Sequence, residues 1–174
     1  MVLVLLVAGL RLEGQPWWCA CGGLSPWSGD IWSAHNSQHL FDPYSFSHLQ
    51  HGLVFHALLH FLAPRVPLGH RLLLAVMLET GWELLENSPI IINRYRAVTI
   101  SLGYTGDTIL NSLGDVLSCT LGFLLAARLP AWASIGIFLG VELGMLAIYR
   151  DSLLVNILML LAPSDAVRDW QRGG

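Results

Sequence analysis

The sequence predicts an all-α fold: a polytopic transmembrane helix bundle of four full spans, with a short N-terminal apolar segment and a short or re-entrant helix near the C-terminus. Three observations lead there. Of 174 residues, 54% are hydrophobic and only 12% charged, more apolar surface than a water-soluble domain of this size can hide. The mean hydropathy is +0.57. Four segments reach the roughly 20 apolar residues that a helix rising ~1.5 Å per residue needs to cross about 30 Å of hydrocarbon.

In chain order, residues 1–10 come first. They are too short to span unaided, and without a basic flank or a small-residue cleavage site they read as a trimmed membrane helix rather than a signal peptide. The spans follow at about 45–64, 70–88, 108–129 and 132–149. Each is bounded by a breaker or an interfacial aromatic: Pro64 and Pro67, Pro89, Pro130, and the pair Trp132 and Tyr149. Residues 152–162 precede Pro163 and a polar tail, which suits a re-entrant helix or one lying at the interface. No linker divides the chain, so 1–174 is read as a single membrane domain.

The nine basic residues are all arginine and are outnumbered by twelve acidic ones, which leaves a net charge of −3 and no basic face for nucleic acid. Three cysteines are too few for a disulfide scaffold. No glycine-rich phosphate loop, nucleophile elbow or His-Glu-x-x-His helix is present, so ATP-driven work is not expected. Arg65, Arg71 and Arg128 gather on the side of the short loops, without acidic neighbours. The positive-inside rule makes that side cytoplasmic and the long polar segments periplasmic.

A charged group at the bilayer centre costs at least ~2.5 kcal/mol, so carboxylates within spans point to function. Glu79, Glu83 and Glu86 recur at i, i+4 and i+7 of the second span, with Asn87 at its end. Asp107, Asn111 and Asp115 recur at i, i+4 and i+8 of the third, and His48 and His51 open the first. Glu79, Asp115 and Glu142 each fall roughly 10–14 Å below the same outer surface at ~1.5 Å per residue. One polar cavity open to that face accounts for the coincidence.

The competing account is that the carboxylates pair with Arg94, Arg96 and Arg150 or hydrogen-bond across helices and merely pin the bundle. Glu142 fits either account. His56 and His60 face elsewhere and read as core or interface residues. The glycines of the third and fourth spans read as close-packing contacts, in line with small-xxx-small pairing. A transporter is disfavoured, because the inner halves of the spans, such as 72–77 and 121–127, are almost wholly apolar and no inverted repeat is evident.

Outside the spans, Cys19 and Cys21 with His35 and His39 offer the ligand types of zinc, or the two thiols pair with each other or with a partner. Trp17, Trp18, Trp27 and Trp32 read as an interfacial aromatic belt, and Cys119 as a small core residue. The loop Asn93-Arg94-Tyr95-Arg96 either grips a phosphate or neutralises the carboxylates below it.

These residues lead to an integral membrane protein acting as a hydrolase or transferase on a lipid or lipid-linked envelope substrate. Glu83, Glu86 and Asp115 are the candidate catalytic groups. Arg94, Arg96, Asn87 and Asn111 are the candidate substrate contacts. His48, His51, Glu83 and Asp107 are the candidate ligands of a divalent metal such as zinc. The alternative is a non-catalytic accessory or scaffold subunit whose cavity receives a partner.

The run Asn36-Ser37-Gln38-His39, Ser47-His48 with His51-Gly52, Glu79 with Trp82-Glu83, Glu86-Asn87-Ser88-Pro89, Arg94-Tyr95-Arg96 and Gly106-Asp107 with Asn111 and Asp115 resembles uncharacterised protein family 0314. The likeness extends through Arg128-Leu129-Pro130 to Asp165, Arg168 and Trp170. It implies a small multi-pass protein of the bacterial inner membrane and supplies no mechanism. The chain departs from that family's pattern at Gly103, where an acidic residue commonly stands, and at Pro43, where an aromatic does. More distantly, the order His, Glu, Arg, Asp, Asn, Asp on short helices is similar to the VanZ-like membrane family.

Overall fold

The computed structural model describes residues 1–101 and 103–173, and among them the regular structure is wholly α-helical. The apolar segments become α1 (Val2–Glu13), α2 (Ser45–Leu62), α3 (Leu68–Glu86), α5 (Ile109–Arg128), α6 (Ala131–Tyr149) and α7 (Leu153–Leu161). Two helices were not anticipated. α4 (Pro89–Val98) replaces the loop expected around Arg94 and Arg96, and α8 (Asp165–Gln171) orders the polar tail.

Local chemistry sets these boundaries. Pro89 occupies the first turn of α4, where its missing N–H costs nothing. Thr108, Ser152 and Ser164 cap α5, α7 and α8, their hydroxyls accepting from the backbone N–H groups of Asn111, Val155 and Val167. Asp42 serves the start of α2, accepting from the N–H groups of Tyr44 (2.7 Å) and Ser45 (3.3 Å).

α5 is the central helix. It crosses α2 in the most extensive helix contact of the molecule and also packs on α3 and α1. Leu6 and Leu10 of α1 join Ile109 and Val116 of α5 in a buried cluster, so the N-terminal segment docks on the bundle along one face. Cys119 and Phe123 are buried on the α2 side of α5, as expected for Cys119.

Among the described residues, only α5 and α6 are both long and apolar enough by composition to cross a membrane. α2 and α3 have the length, but their histidines and carboxylates dilute their apolar character. Four full spans are therefore an expectation that the helices match in extent, and that composition supports for two. The glycines of α6 depart from expectation. Those of α5 are closely packed, but a methyl group built on Gly136, Gly140 or Gly144 meets nothing within 4 Å. α6 stands at the edge of the bundle rather than inside it.

Asp151 ties the C-terminal helices down. Its carboxylate accepts from Tyr44 Oη (2.8 Å), Ser152 N (2.9 Å), Asn156 Nδ2 (3.2 Å) and Gln171 Nε2 (3.0 Å). Burial lifts its pKa to about 6 against the pull of these donors. Asp151→Ala leaves several buried donors unpaired, each costing about 1–3 kcal/mol. The expected result is a lower unfolding temperature in detergent and new protease cleavage within 162–172; unchanged protection removes this role.

Candidate functional site

The site is where three helical stripes face each other. His48 and His51 lie on the first turns of α2, Glu79, Glu83 and Glu86 on the last turns of α3, and Asp115 two turns into α5. The close crossing of α2 over α5 and the packing of both on α3 turn the stripes inward. Nδ1 of His48 lies 2.6 Å from Glu79 Oε1 and 3.3 Å from Glu83 Oε1, while its Nε2 lies 3.9 Å from Asp115 Oδ2. His51 Nδ1 reaches the same Glu79 at 3.0 Å. Ser45 Oγ donates to Asp115 Oδ1 at 2.8 Å.

Of these residues His48, His51, Glu86 and Asp115 line a cavity of about 480 Å³, while Ser45, Glu79 and Glu83 lie behind its wall. Its polar lining includes Asp42, His48, His51, Glu86, Asp107, Asn111 and Asp115, and its apolar lining includes Val54, Phe55 and Phe138 together with Leu153, Leu154, Ile157 and Leu160 of α7. No arginine lines it among the described residues. The one Arg–carboxylate ion pair among them joins Arg168 to Asp165. The carboxylates of the stripes are thus not neutralised by Arg94, Arg96 or Arg150.

Two overlapping triads present ligand atoms within 4.8 Å of one another: His48, His51 and Glu79, and His48, Glu83 and Glu86. The first is closed, since both imidazoles already bond Glu79. The second is open. Glu83 is fully buried with neither carboxylate oxygen accepting a hydrogen bond, and Glu86 Oε2 is likewise unpartnered. Buried polar atoms are rarely left so, and these three side chains are placed such that they could hold a cation.

The anticipated metal set is divided. His48 and Glu83 stand together and His51 is one helical step away on Glu79, but Asp107 belongs to neither triad. Asp107 accepts from Asn87 Nδ2 (2.9 Å) and Tyr104 Oη (3.0 Å), and burial raises its pKa to about 6. Asn87 is spent on structure: its amide also donates to the Glu83 carbonyl, and its oxygen accepts from the Asp107 N–H. Asn111 does line the cavity while donating to the His39 carbonyl at 2.8 Å.

Arg94 and Arg96 are displaced because their segment is helical. Arg94 donates to the Leu160 carbonyl from Nε and Nη2 and faces a neighbouring groove that shares Trp82, Ile157 and Leu160 with the cavity. Arg96 donates to the Tyr104 carbonyl outside the cavity. Glu142 resolves as a helix contact, accepting from Gln50 at 3.0 Å and lying off the cavity wall. His56 packs on Phe123, and His60 is exposed. Cys19 and Cys21 are joined as a disulfide.

Sequence reasoning passed over Asp42, Tyr44, Ser45, Tyr95 and Tyr104. All but Ser45 line the cavity. Burial raises the pKa of Asp42 and, strongly, those of the three tyrosine hydroxyls. Asp42-Pro43-Tyr44-Ser45 carried a usable signal as an acidic cap before a helix; Tyr95 and Tyr104 carried none without knowledge that α4 is a helix.

Fold and site together define an all-α protein with two strongly apolar helices and a buried cluster of histidines and carboxylates beside a half-apolar cavity. The chain belongs to the family described as protein of unknown function (DUF2585), whose model matches residues 10–173. It is 50% identical to a UPF0314 protein of Paracoccus denitrificans over 98% of this chain and 89% of that one. Similar proteins of the same designation occur in Rhizobium meliloti (48% identical, 99% and 87% covered) and Sphingopyxis alaskensis (44% identical, 99% and 92% covered). No solved structure matches the chain. The VanZ-like likeness gains nothing from these relatives.

Proposed function

We propose that this is an integral protein of the bacterial inner membrane, crossing it with α2, α3, α5 and α6. Its cavity opens to the periplasmic leaflet and binds a divalent cation, such as zinc, for a hydrolase or transferase reaction on a lipid or lipid-linked envelope substrate. The observation that carries this reading is Glu83: a carboxylate with 0% exposure and no hydrogen bond, within ligand distance of His48 and Glu86. A buried carboxyl group without a hydrogen bond is costly, and a bound cation offsets that cost.

The spanning topology draws support from the apolar residues left uncovered on the helices, among them Leu58 and Phe61 of α2, Leu74 and Met77 of α3, and Leu139 and Leu143 of α6. In water such a surface would aggregate; in a bilayer it is solvated by lipid tails. Arg65, Arg71 and Arg128 at the opposite end from the cavity favour a periplasmic opening. A cavity lined by apolar α7 residues and by acidic residues suits an amphiphile, with its chain on Leu153, Leu154 and Ile157 and its polar part at the cation.

In this reading His48, Glu83 and Glu86 would hold the cation, which would supply Lewis-acid polarisation of an ester or phosphoryl oxygen. Glu79 orients both imidazoles, and Asp115, positioned by Ser45, takes the proton of the attacking hydroxyl or water. Arg94 serves as an anion contact only for a substrate long enough to reach the neighbouring groove.

The test compares envelope lipid profiles of a deletion strain complemented with the natural chain, Glu83→Gln or Asp115→Asn, alongside metal analysis of the purified proteins. Accumulation of the same lipid species in the deletion and in both variants is expected, with metal lost in Glu83→Gln only. Full complementation by both variants, or a metal-free protein whose His48→Ala variant complements, rejects the reading. The second reading, an accessory subunit, is favoured by α6, whose glycine face is open to a partner helix. It gains ground if α6 substitutions abolish co-purification of a partner while lipids stay unchanged.

A further inference from the structure

A second group of metal-ligating side chains lies outside the cavity, in the segment between α1 and α2. Among the described residues this long stretch holds no helix and a single isolated bridge, Trp27 with Phe41. Stretches of this length without regular structure need other fastening if they are to be ordered. Four side chains converge within it. Cys19, Cys21, His35 and His39 each present a ligand atom within 4.8 Å of the others.

Two sulfur–nitrogen spacings match those of a tetrahedral site. His35 Nδ1 lies 3.5 Å from Cys19 Sγ, and His39 Nε2 lies 3.9 Å from Cys21 Sγ. With Zn–S of about 2.3 Å and Zn–N of about 2.0–2.1 Å, sulfur and nitrogen ligands of one tetrahedral ion stand roughly 3.6 Å apart. A disulfide accounts for neither imidazole. A link that leaps a single residue also closes almost no loop, so it constrains the unfolded chain little.

His39 is prepared as a ligand. Its Nδ1 lies 2.6 Å from the Ser25 carbonyl, to which the Nδ1–H donates, leaving the Nε2 lone pair directed at the cysteines. Carbonyl-held imidazoles of this kind are the usual support of metal-bound histidine. His39 is only 5% exposed, and its ring lies edge-on to Trp18. The backbone carbonyl of the same residue accepts from Asn111 of the cavity wall, so the cluster is anchored to the bundle.

We propose that Cys19, Cys21, His35 and His39 form a zinc site in the reduced protein, and that the Cys19–Cys21 disulfide is its oxidised, metal-free form. Conversion is a two-electron step. A dithiol reductant breaks the S–S bond and itself becomes a disulfide, the two cysteine thiolates bind Zn²⁺, and the two protons of the reductant pass to solvent. Two thiolates and two imidazoles in this geometry select zinc among the common ions. The ion would pin the periplasm-facing segment over the cavity rim formed by Asn36, Ser37 and Asp42.

The test uses full-length protein in mild detergent, reduced and freed of reductant, and titrated with Co²⁺ and then Zn²⁺. Expected are one tetrahedral cobalt with thiolate-to-cobalt charge-transfer absorption, its displacement by zinc, and no such absorption in the disulfide form. Because the cavity triad holds no sulfur, Glu83→Gln is expected to leave this signal intact, which separates the two sites. Losing even an outer-shell partner typically costs about 10–100-fold in metal affinity, so Cys19→Ser, Cys21→Ser and His39→Ala are expected to lose more. His35 is exposed, so its variants do not endanger folding: His35→Ala should weaken binding and His35→Cys restore it. Absence of charge-transfer absorption in the reduced chain, or unchanged affinity in both His35→Ala and His39→Ala, overturns the proposal.

Discussion

Glu83→Gln is expected to abolish metal retention in the cavity and lipid turnover while raising the unfolding temperature of the metal-free protein. The two effects have one cause. Without a cation, Glu83 keeps a carboxyl group out of water with no hydrogen bond on either oxygen and the His48 imidazole, already bonded to Glu79, 3.3 Å away; such a group costs about 1–3 kcal/mol. The amide removes the charge at nearly the same volume. Glu79→Gln is expected to do the opposite. Glu79 is equally buried, but its oxygens bond both His48 and His51, so the substitution leaves imidazoles without their acceptor and lowers stability by a few kcal/mol. Thermal unfolding of the two variants, each with and without added Zn²⁺, checks both signs. Equal destabilisation of both makes Glu83 a packing residue and removes the site. Stability sacrificed at one carboxylate but not at its neighbour one turn away is the signature of function rather than of helix docking.

The convergence of α2, α3 and α5 was legible because it depends on helical period and on the cost of charge in an apolar run, both properties of single segments. Glu79, Glu83 and Glu86 sit on one face of α3 and Asn111 and Asp115 on one face of α5, with Asp107 just ahead of the Thr108 cap rather than on the helix. What escaped depends on pairing between segments. Asn87 and Asp107 look like substrate and metal contacts until each is found to satisfy the other. Arg94 and Arg96 look like a clamp until Pro89 starts a helix that turns them toward the carbonyls of Leu160 and Tyr104. The cap at Ser164 and the proline at the start of α4 were readable as helix signals but were outweighed by low apolar content, since hydropathy finds spans and overlooks polar helices. Gly114 and Gly122 read alike with Gly136, Gly140 and Gly144, because small-residue spacing says that a close approach is permitted and not that a neighbour is present.

That last distinction yields an expected result of large size. Gly52 of α2 faces α5, and a methyl group there would overlap the Cys119 carbonyl oxygen and stand 2.6 Å from the Phe123 backbone nitrogen. Gly122 of α5 faces back, where a methyl group would overlap the Leu49 carbonyl and stand 2.9 Å from its carbon. Backbone cannot yield as a side-chain tip does, so either substitution must push the two helices apart. Overpacking in a well-filled core costs about 1–3 kcal/mol and sometimes more. The functional cost is greater, because the same crossing sets the distance from His48 on α2 to Asp115 on α5. Gly52→Ala is therefore expected to lower the unfolding temperature in detergent, and Gly52→Val to leave little folded protein. Gly140→Ala meets no neighbour and removes a flexible residue from a helix interior, so it is expected to be neutral or to stabilise by about 0.5–1 kcal/mol. If Gly52→Ala and Gly140→Ala behave alike, α2 and α5 are not in backbone contact, and the stripes that build the cavity do not face one another at the distances given above.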